Sequence, residues 1–157
     1  MKYRVLFVCL GNICRSPLAE GIFLDQAEKH GIIDFVEADS AGTSGQHEGE
    51  LPDSRTRKNA LDHGLKLSSR ARKFKATDFA AFDQILVMDN RNLEHVLNMA
   101  QTEADALKVS LFRDYDPQGR GEDMPDPWYG EEEGFEEVFQ ITHRTIIHFL
   151  DALRKKM

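Results

Sequence analysis

Only two of the 157 residues are cysteine, Cys9 and Cys14, and they stand five positions apart. That is neither a disulfide framework nor a zinc-ligand set, so their meaning is to be sought in thiol reactivity. Long apolar runs are also missing. No window approaches the length of a membrane span, and Met1-Lys2-Tyr3-Arg4 leads into a short apolar stretch without a signal-peptide cleavage pattern. A cytoplasmic protein with no membrane partner is the expectation. Positive charge is in deficit: 20 Lys and Arg stand against 27 Asp and Glu, for a formal charge of −7. No overall positive field could hold a nucleic acid, and any anion site must be local. The six histidines show no ligand spacing, and His143 and His148 do not share a helix face, so neither a metal nor another cofactor is implied. Repeats and low-complexity tracts are absent. What is present is the balance of a soluble globular chain, 41% hydrophobic and 30% charged, long enough to bury a core as one domain over residues 1–157.

The run from Tyr3 to Cys9 is β-branched and apolar almost throughout, as a strand buried on both faces of a parallel sheet would be. Ser16-Pro17 reads as an N-cap and first helical position, opening a helix that runs through Leu18, Ile22 and Ala27 to a terminal glycine, Gly31. Further strands fit Phe35 to Ser40, Gln84 to Met88 and Lys108 to Phe112. Helices fit between or after them: one capped by Asp53 and ending near Gly64, and a short one from Asn92 to Met99. The last is the clearest, with Phe135, Val138, Phe139, Thr142, Ile146, Phe149, Leu150 and Leu153 at spacings of three and four. This alternation predicts a single-domain, doubly wound α/β sandwich with a four-stranded parallel sheet flanked by helices. The stretch from Arg113 to Glu133 is long for a connection, and its Pro-rich, aromatic segment from Met124 to Gly130 favours a functional loop.

Between the first strand and its helix lie Cys9, Leu10, Gly11, Asn12, Ile13, Cys14, Arg15 and Ser16. In α/β folds this is where ligands gather. Backbone N–H groups of such a loop, converging with the positive end of the helix dipole, make an anion cradle. Gly11 permits close approach, and Asn12 tolerates a left-handed backbone. The Gly-Lys-Ser/Thr ending of a nucleotide loop and the Rossmann glycine triplet are both missing. Instead a thiol opens the cradle and a guanidinium closes it. Comparable surroundings lower a cysteine pKa to roughly 3.5–7.5, which makes Cys9 a candidate nucleophile at neutral pH. Arg15 offers a planar fork that matches two phosphoryl oxygens.

Cys-x5-Arg-Ser between strand and helix, followed by Pro17, resembles the signature of the low-molecular-weight protein tyrosine phosphatases. The resemblance extends over nearly the whole chain, through Asp39-Ser40-Ala41-Gly42-Thr43-Ser44, Met88-Asp89-Asn90-Arg91-Asn92 and Asp126-Pro127-Trp128-Tyr129-Gly130. It implies hydrolysis of phosphotyrosine through a cysteinyl-phosphate, with Cys9 as nucleophile, Arg15 as phosphate clamp and Asp126 as general acid. The partners it implies are phosphotyrosine-containing proteins, with inorganic phosphate and oxyanion inhibitors at the loop. The remaining loop residues, Leu10 to Cys14 and Ser16, would bind substrate together with Trp128 and Tyr129. By the same resemblance Asn12 bonds Ser40 to hold the loop's shape and Ser16 donates to the Cys9 sulfur. Asp89 and Asn92 are expected to cap the following helix and brace the loop rather than touch substrate.

Two departures stand out. Gln46 occupies a place where many relatives carry an aromatic wall, and Arg70 one where some carry a histidine that braces the loop. Arg72, Lys73 and Lys75 beside it read as a solvated basic face. Arsenate reductases share the fold and thiol loop but need further cysteines, and none follows Cys14. A protein arginine phosphatase is the nearer alternative, although members with that preference resemble this loop with threonine where Ile13 stands. Cys14 is either a small buried filler or a second thiol close enough to capture an oxidised Cys9.

Overall fold

The computed structural model describes residues 1–127 and 132–157. Strand β1, Tyr3–Cys9, is central in a parallel four-stranded sheet of order β2-β1-β3-β4, where β2 is Val36–Gly42, β3 is Gln84–Val87 and β4 is Val109–Leu111. Because side chains alternate along a strand, β1 feeds two cores. Val5, Phe7 and Cys9 face α1 (Arg15–Lys29) and the C-terminal helix, with Phe7 packed on Phe23 and Phe112. Leu6 and Val8 face the opposite layer with Phe74, Phe79, Ile85 and Val96. Phe7 is fully buried, and truncating such a ring costs about 3–5 kcal/mol. The doubly wound sandwich predicted from the alternation is therefore the architecture observed.

Chain order also locates a switch point. From β1 the chain crosses to β2 on one side and then returns to β3 on the other, so the crevice at the carboxyl end of β1 is the expected ligand position.

Several boundaries differ from expectation. Strand β2 continues to Gly42 because its register pairs Gly42 with Cys9, the last residue of β1. Helix α1 begins at Arg15, with Cys14 at the N-cap and no side-chain cap, so Ser16 is not the cap; its hydroxyl is engaged elsewhere. Pro17 still falls in the first turn, where a missing N–H costs nothing. The helix ends near Gly31, whose φ of 74° only glycine adopts readily.

Helix α2, Ser54–Asp62, is capped by Asp53, which accepts from the Arg55 N–H. Two short helices not anticipated, α3 (Asp78–Ala81) and α5 (Glu103–Leu107), flank α4 (Asn90–Met99) in the sequence. Helix α6, Glu132–Lys156, buries the predicted apolar stripe against α1.

Candidate active site

Residues 10–14 curl from the end of β1 into α1, and Asn12 takes a φ of 57°, the one positive φ at a non-glycine residue among those described. Asparagine tolerates that region better than most side chains. The extension of β2 clamps the curl: Thr43 N donates to Cys9 O and Ser44 N to Leu10 O, both at 2.9 Å. Gly42 is required for this approach, since a Cβ there would stand 2.8 Å from Leu10 O. On the far side Asp53 N donates to Ile13 O at 2.7 Å, tying the loop to the start of α2.

Cys9 sits at the base of this loop, 3% exposed. Its sulfur lies 3.0 Å from Ser16 Oγ and accepts from Asn12 N at 3.3 Å. The Asn12 side-chain amide donates to Ser16 Oγ at 2.7 Å, and the Ser16 hydroxyl, whose other acceptor is Ala41 O at 3.5 Å, can donate to the sulfur once Cys9 is a thiolate. A thiolate at Cys9 would thus be met by two donors.

The expected Asn12–Ser40 bond is not formed. Asn12 Oδ1 instead accepts from Arg72 N at 3.0 Å, while Ser40 Oγ donates to Glu20 Oε1 at 2.6 Å. Ser40 supports α1 against β2 and reaches the loop only indirectly. Arg70, which stands where some relatives carry a loop-bracing histidine, donates from Nη1 to Gly49 O at 3.2 Å, and the loop is braced here by the Arg72 backbone. Nor is Arg72 part of a solvated basic face, since its guanidinium is tied to Asp39 and Asp78.

Arg15 is 3% exposed and fixed by one nitrogen: Nη1 donates to Asp89 Oδ2 at 2.8 Å and to Met124 O at 3.0 Å. Nη2 lies 3.6 Å from Asp126 Oδ2. Burial opposes its charge, but Cys9, the hydrogen bond from Arg15 to Asp89 and the charge of Asp126 outweigh burial and raise the Arg15 pKa further. Asp89 has two tasks, because its other oxygen accepts from Asn92 N at 2.8 Å and caps α4. Asn92 contributes that N–H; its buried Oδ1 has no partner among the described residues.

The segment leading to Asp126 is anchored before it. Met124 N donates to Met88 O at 2.7 Å, Asn90 N to Asp123 Oδ1 at 2.9 Å, and Arg113 Nη1 to Asp123 O at 3.0 Å. Arg113 is in turn held by the fully buried Asp116, which also receives two bonds from Arg144 on α6. The hydrogen bonds from Arg144, prevailing over burial, draw the Asp116 pKa down to about 2.

Cys9, Leu10, Gly11, Ile13, Cys14, Arg15 and Asp126 line one pocket of about 230 Å³, joined by Ser44, Gln46 and His47. Asn12 and Ser16 are behind the loop, building its shape. Trp128 and Tyr129 lie outside the described residues. Cys14 packs with Ile13, Ala71 and Phe135, and burial pushes its thiol up to about 12, so it is protonated at neutral pH. Both cysteines are free. Among the described residues no group of His, Cys, Asp or Glu is arranged to hold a metal ion.

A buried thiol, a buried guanidinium and a carboxylate around one pocket at a loop of left-handed curl match a known family. The family model described as Low molecular weight phosphotyrosine protein phosphatase covers residues 4–157. The chain belongs to that family. It is a protein tyrosine phosphatase, a phosphoric monoester hydrolase. A low molecular weight protein-tyrosine-phosphatase of Streptomyces coelicolor is 45% identical, over 100% of this chain and 97% of the relative. The crystal structure of a protein tyrosine phosphatase from Entamoeba histolytica, with Hepes in its active site, superposes with a TM-score of 0.95 at 35% identity, covering 99% of each chain. A Drosophila arginine phosphatase superposes with a TM-score of 0.87 at 33% identity, covering 98% of each.

Ser44 and His47 are pocket residues that sequence reasoning did not single out, although Ser44 belongs to the quoted Asp39–Ser44 motif. Arg72 and the Met124 carbonyl were missed as supports, because their partners are distant in the chain.

Proposed function

We propose that residues 1–157 form one catalytic domain in which Cys9 Sγ attacks the phosphorus of phosphotyrosine while Asp126 protonates the departing phenolate oxygen. The observation that carries this is the convergence of Cys9, Arg15 and Asp126 on one pocket. The P–O bond to the phenol breaks as the S–P bond forms. Arg15, immobilised through Nη1, offers the rest of its fork to the equatorial oxygens, and the loop N–H groups take part of the developing charge. In the second step Asp126 accepts a proton from water, the hydroxide attacks the cysteinyl-phosphate, and phosphate and the Cys9 thiolate are released. The Ser16 hydroxyl stabilises that thiolate as leaving group.

Phosphotyrosine-containing proteins are the substrates this reading implies, with inorganic phosphate and other oxyanions as inhibitors. The sulfonate buffer in the Entamoeba enzyme supports the latter. Similarity to an arginine phosphatase favours phosphoarginine as a second reading; against it stands Ile13, an apolar wall of the pocket. A cytoplasmic workplace fits a mechanism that needs a reduced thiol. No helix among the described residues is long and apolar enough to cross a membrane.

Asp126→Ala tests the assignment of the acid. It should lower kcat/KM for aryl phosphates with poor leaving groups by about 10²- to 10⁴-fold and spare kcat/KM for those with activated phenols, because only the former need a proton in the first transition state; kcat, which includes the second step, should fall for both. Equal losses of kcat/KM across the leaving-group series would make Asp126 structural.

A further inference from the structure

A second groove lies beside the catalytic pocket. Ile13 and His47 line both, so the two are adjacent, and the outer one measures about 380 Å³ against about 230 Å³ for the pocket. A ring bound over Cys9 therefore has room beside it for a neighbouring side chain of the same peptide.

The charge in that outer groove runs against the molecule as a whole. Its ionisable residues are His47, Glu50, Asp53, Arg57 and Arg70. Asp53 is committed, since its carboxylate caps α2 and pairs with the Arg55 side chain. Glu50 Oε2 lies 2.9 Å from His47 Nδ1. The two arginines are positioned only by backbone oxygens: Arg57 Nε donates to Pro52 O at 2.9 Å, and Arg70 Nη1 to Gly49 O at 3.2 Å. Neither guanidinium is ion-paired to a carboxylate among the described residues. The lining itself carries two carboxylates and two guanidiniums; with Asp53 matched by Arg55 outside it, Glu50 alone stands against Arg57 and Arg70, and the excess is positive whether His47 is neutral or protonated. In a chain of formal charge −7 this is a local exception, beside the place where a phosphoryl group enters. Arg72, by contrast, is compensated by Asp39 and Asp78 and adds nothing to it.

We propose that this groove is a substrate subsite, in which Arg57 and Arg70 receive the carboxylate of an Asp or Glu flanking the phosphotyrosine of a peptide substrate. Guanidinium forks held by one N–H each keep further N–H groups for a carboxylate. The site lies away from the reacting atoms, so it acts on substrate capture and its effect falls mainly on KM. The proposal rests on the phosphatase reading above.

The test uses phosphotyrosine peptides of one sequence that carry Ala, Glu or Lys at each flanking position in turn. Phosphate release is measured for wild type, Arg57→Gln, Arg70→Gln and the double variant, with p-nitrophenyl phosphate as the small substrate. At one flanking position Glu should exceed Lys in kcat/KM by about 2- to 5-fold for each arginine engaged, as expected of partly exposed charge pairs. The preference should shrink as salt shortens the Debye length below about 10 Å. It should be lost in the double variant while p-nitrophenyl phosphate turnover stays at the wild-type rate. Equal kcat/KM for Glu and Lys at every position, or a preference that survives the double substitution, overturns the subsite. If the double variant loses turnover of the small substrate, the singly substituted Arg70→Gln, an exposed position, decides by the same comparison. Failure of wild type to hydrolyse any aryl phosphate would instead strike the phosphatase reading and is seen separately.

Discussion

Glu20→Gln should stabilise the protein, and by more as the pH rises. Glu20 lies on α1 with Oε1 accepting from Ser40 Oγ at 2.6 Å. Burial pushes its carboxyl from an ordinary 4.5 up to about 7; the Ser40 bond and Arg72 pull it down, and Asp39 pushes it up. A carboxyl raised in the fold binds its proton more tightly there than in the unfolded chain. The folded protein is therefore not penalised below about pH 4.5, is progressively destabilised as pH climbs to about 7, and carries the full penalty above that.

At about 1.36 kcal/mol per pH unit, the penalty is about 1 kcal/mol at pH 5.5 and about 3 kcal/mol at pH 8.5, a difference of about 2 kcal/mol. Glutamine keeps an acceptor for Ser40 and has no proton to lose. Urea unfolding of both proteins at the two pH values measures the difference directly. A stability gap between wild type and Glu20→Gln that does not change with pH would refute the reasoning, since only titration of Glu20 supplies the pH dependence.

Ser16→Ala removes the hydroxyl 3.0 Å from the Cys9 sulfur, and hydrogen bonds to charged groups contribute about 1.5–3 kcal/mol, so turnover should fall by about 10- to 150-fold. The second chemical step should suffer most, which pre-steady-state kinetics would register as a larger product burst. Asp116→Ala removes the buried carboxylate that Arg113 and Arg144 share, leaving Arg113 only the exposed Glu122 as counter-charge, and should cost about 3 kcal/mol in denaturant unfolding, the lower end of the range for a broken buried pair. Because its pKa is lowered to about 2, the stability that Asp116 confers in the wild type is present above about pH 4 and lost as the pH falls through 2.

The parts of this molecule legible in its sequence are those whose determinants are local. The unbroken apolar run Val5–Cys9 specifies a strand buried on both faces, and the apolar stripe from Phe135 to Leu153 specifies a helix. The thiol and guanidinium at the two ends of one short loop point to anion chemistry before any contact is known. Ser16 was misread as a helix cap because the competing partner, the Cys9 sulfur, becomes its neighbour only when the loop curls. Ser40 was assigned to Asn12, yet a carboxylate one helix away reaches it first. Helices α3 and α5 hold four and five residues, too few to show a period. Arg72 looked like surface charge because Asp39 and Asp78, which enclose it, come from different elements.

The central claim is that Cys9 becomes covalently phosphorylated during turnover. Rapid acid quenching of the enzyme with an activated aryl phosphate, followed by peptide mapping by mass spectrometry, tests it directly. Slowing the second step with Asp126→Ala should make the intermediate accumulate, with one phosphoryl group on the peptide that contains Cys9 and none in Cys9→Ser. Turnover with no phosphorylated peptide at any quench time, or with the phosphoryl group on another residue, would contradict the account.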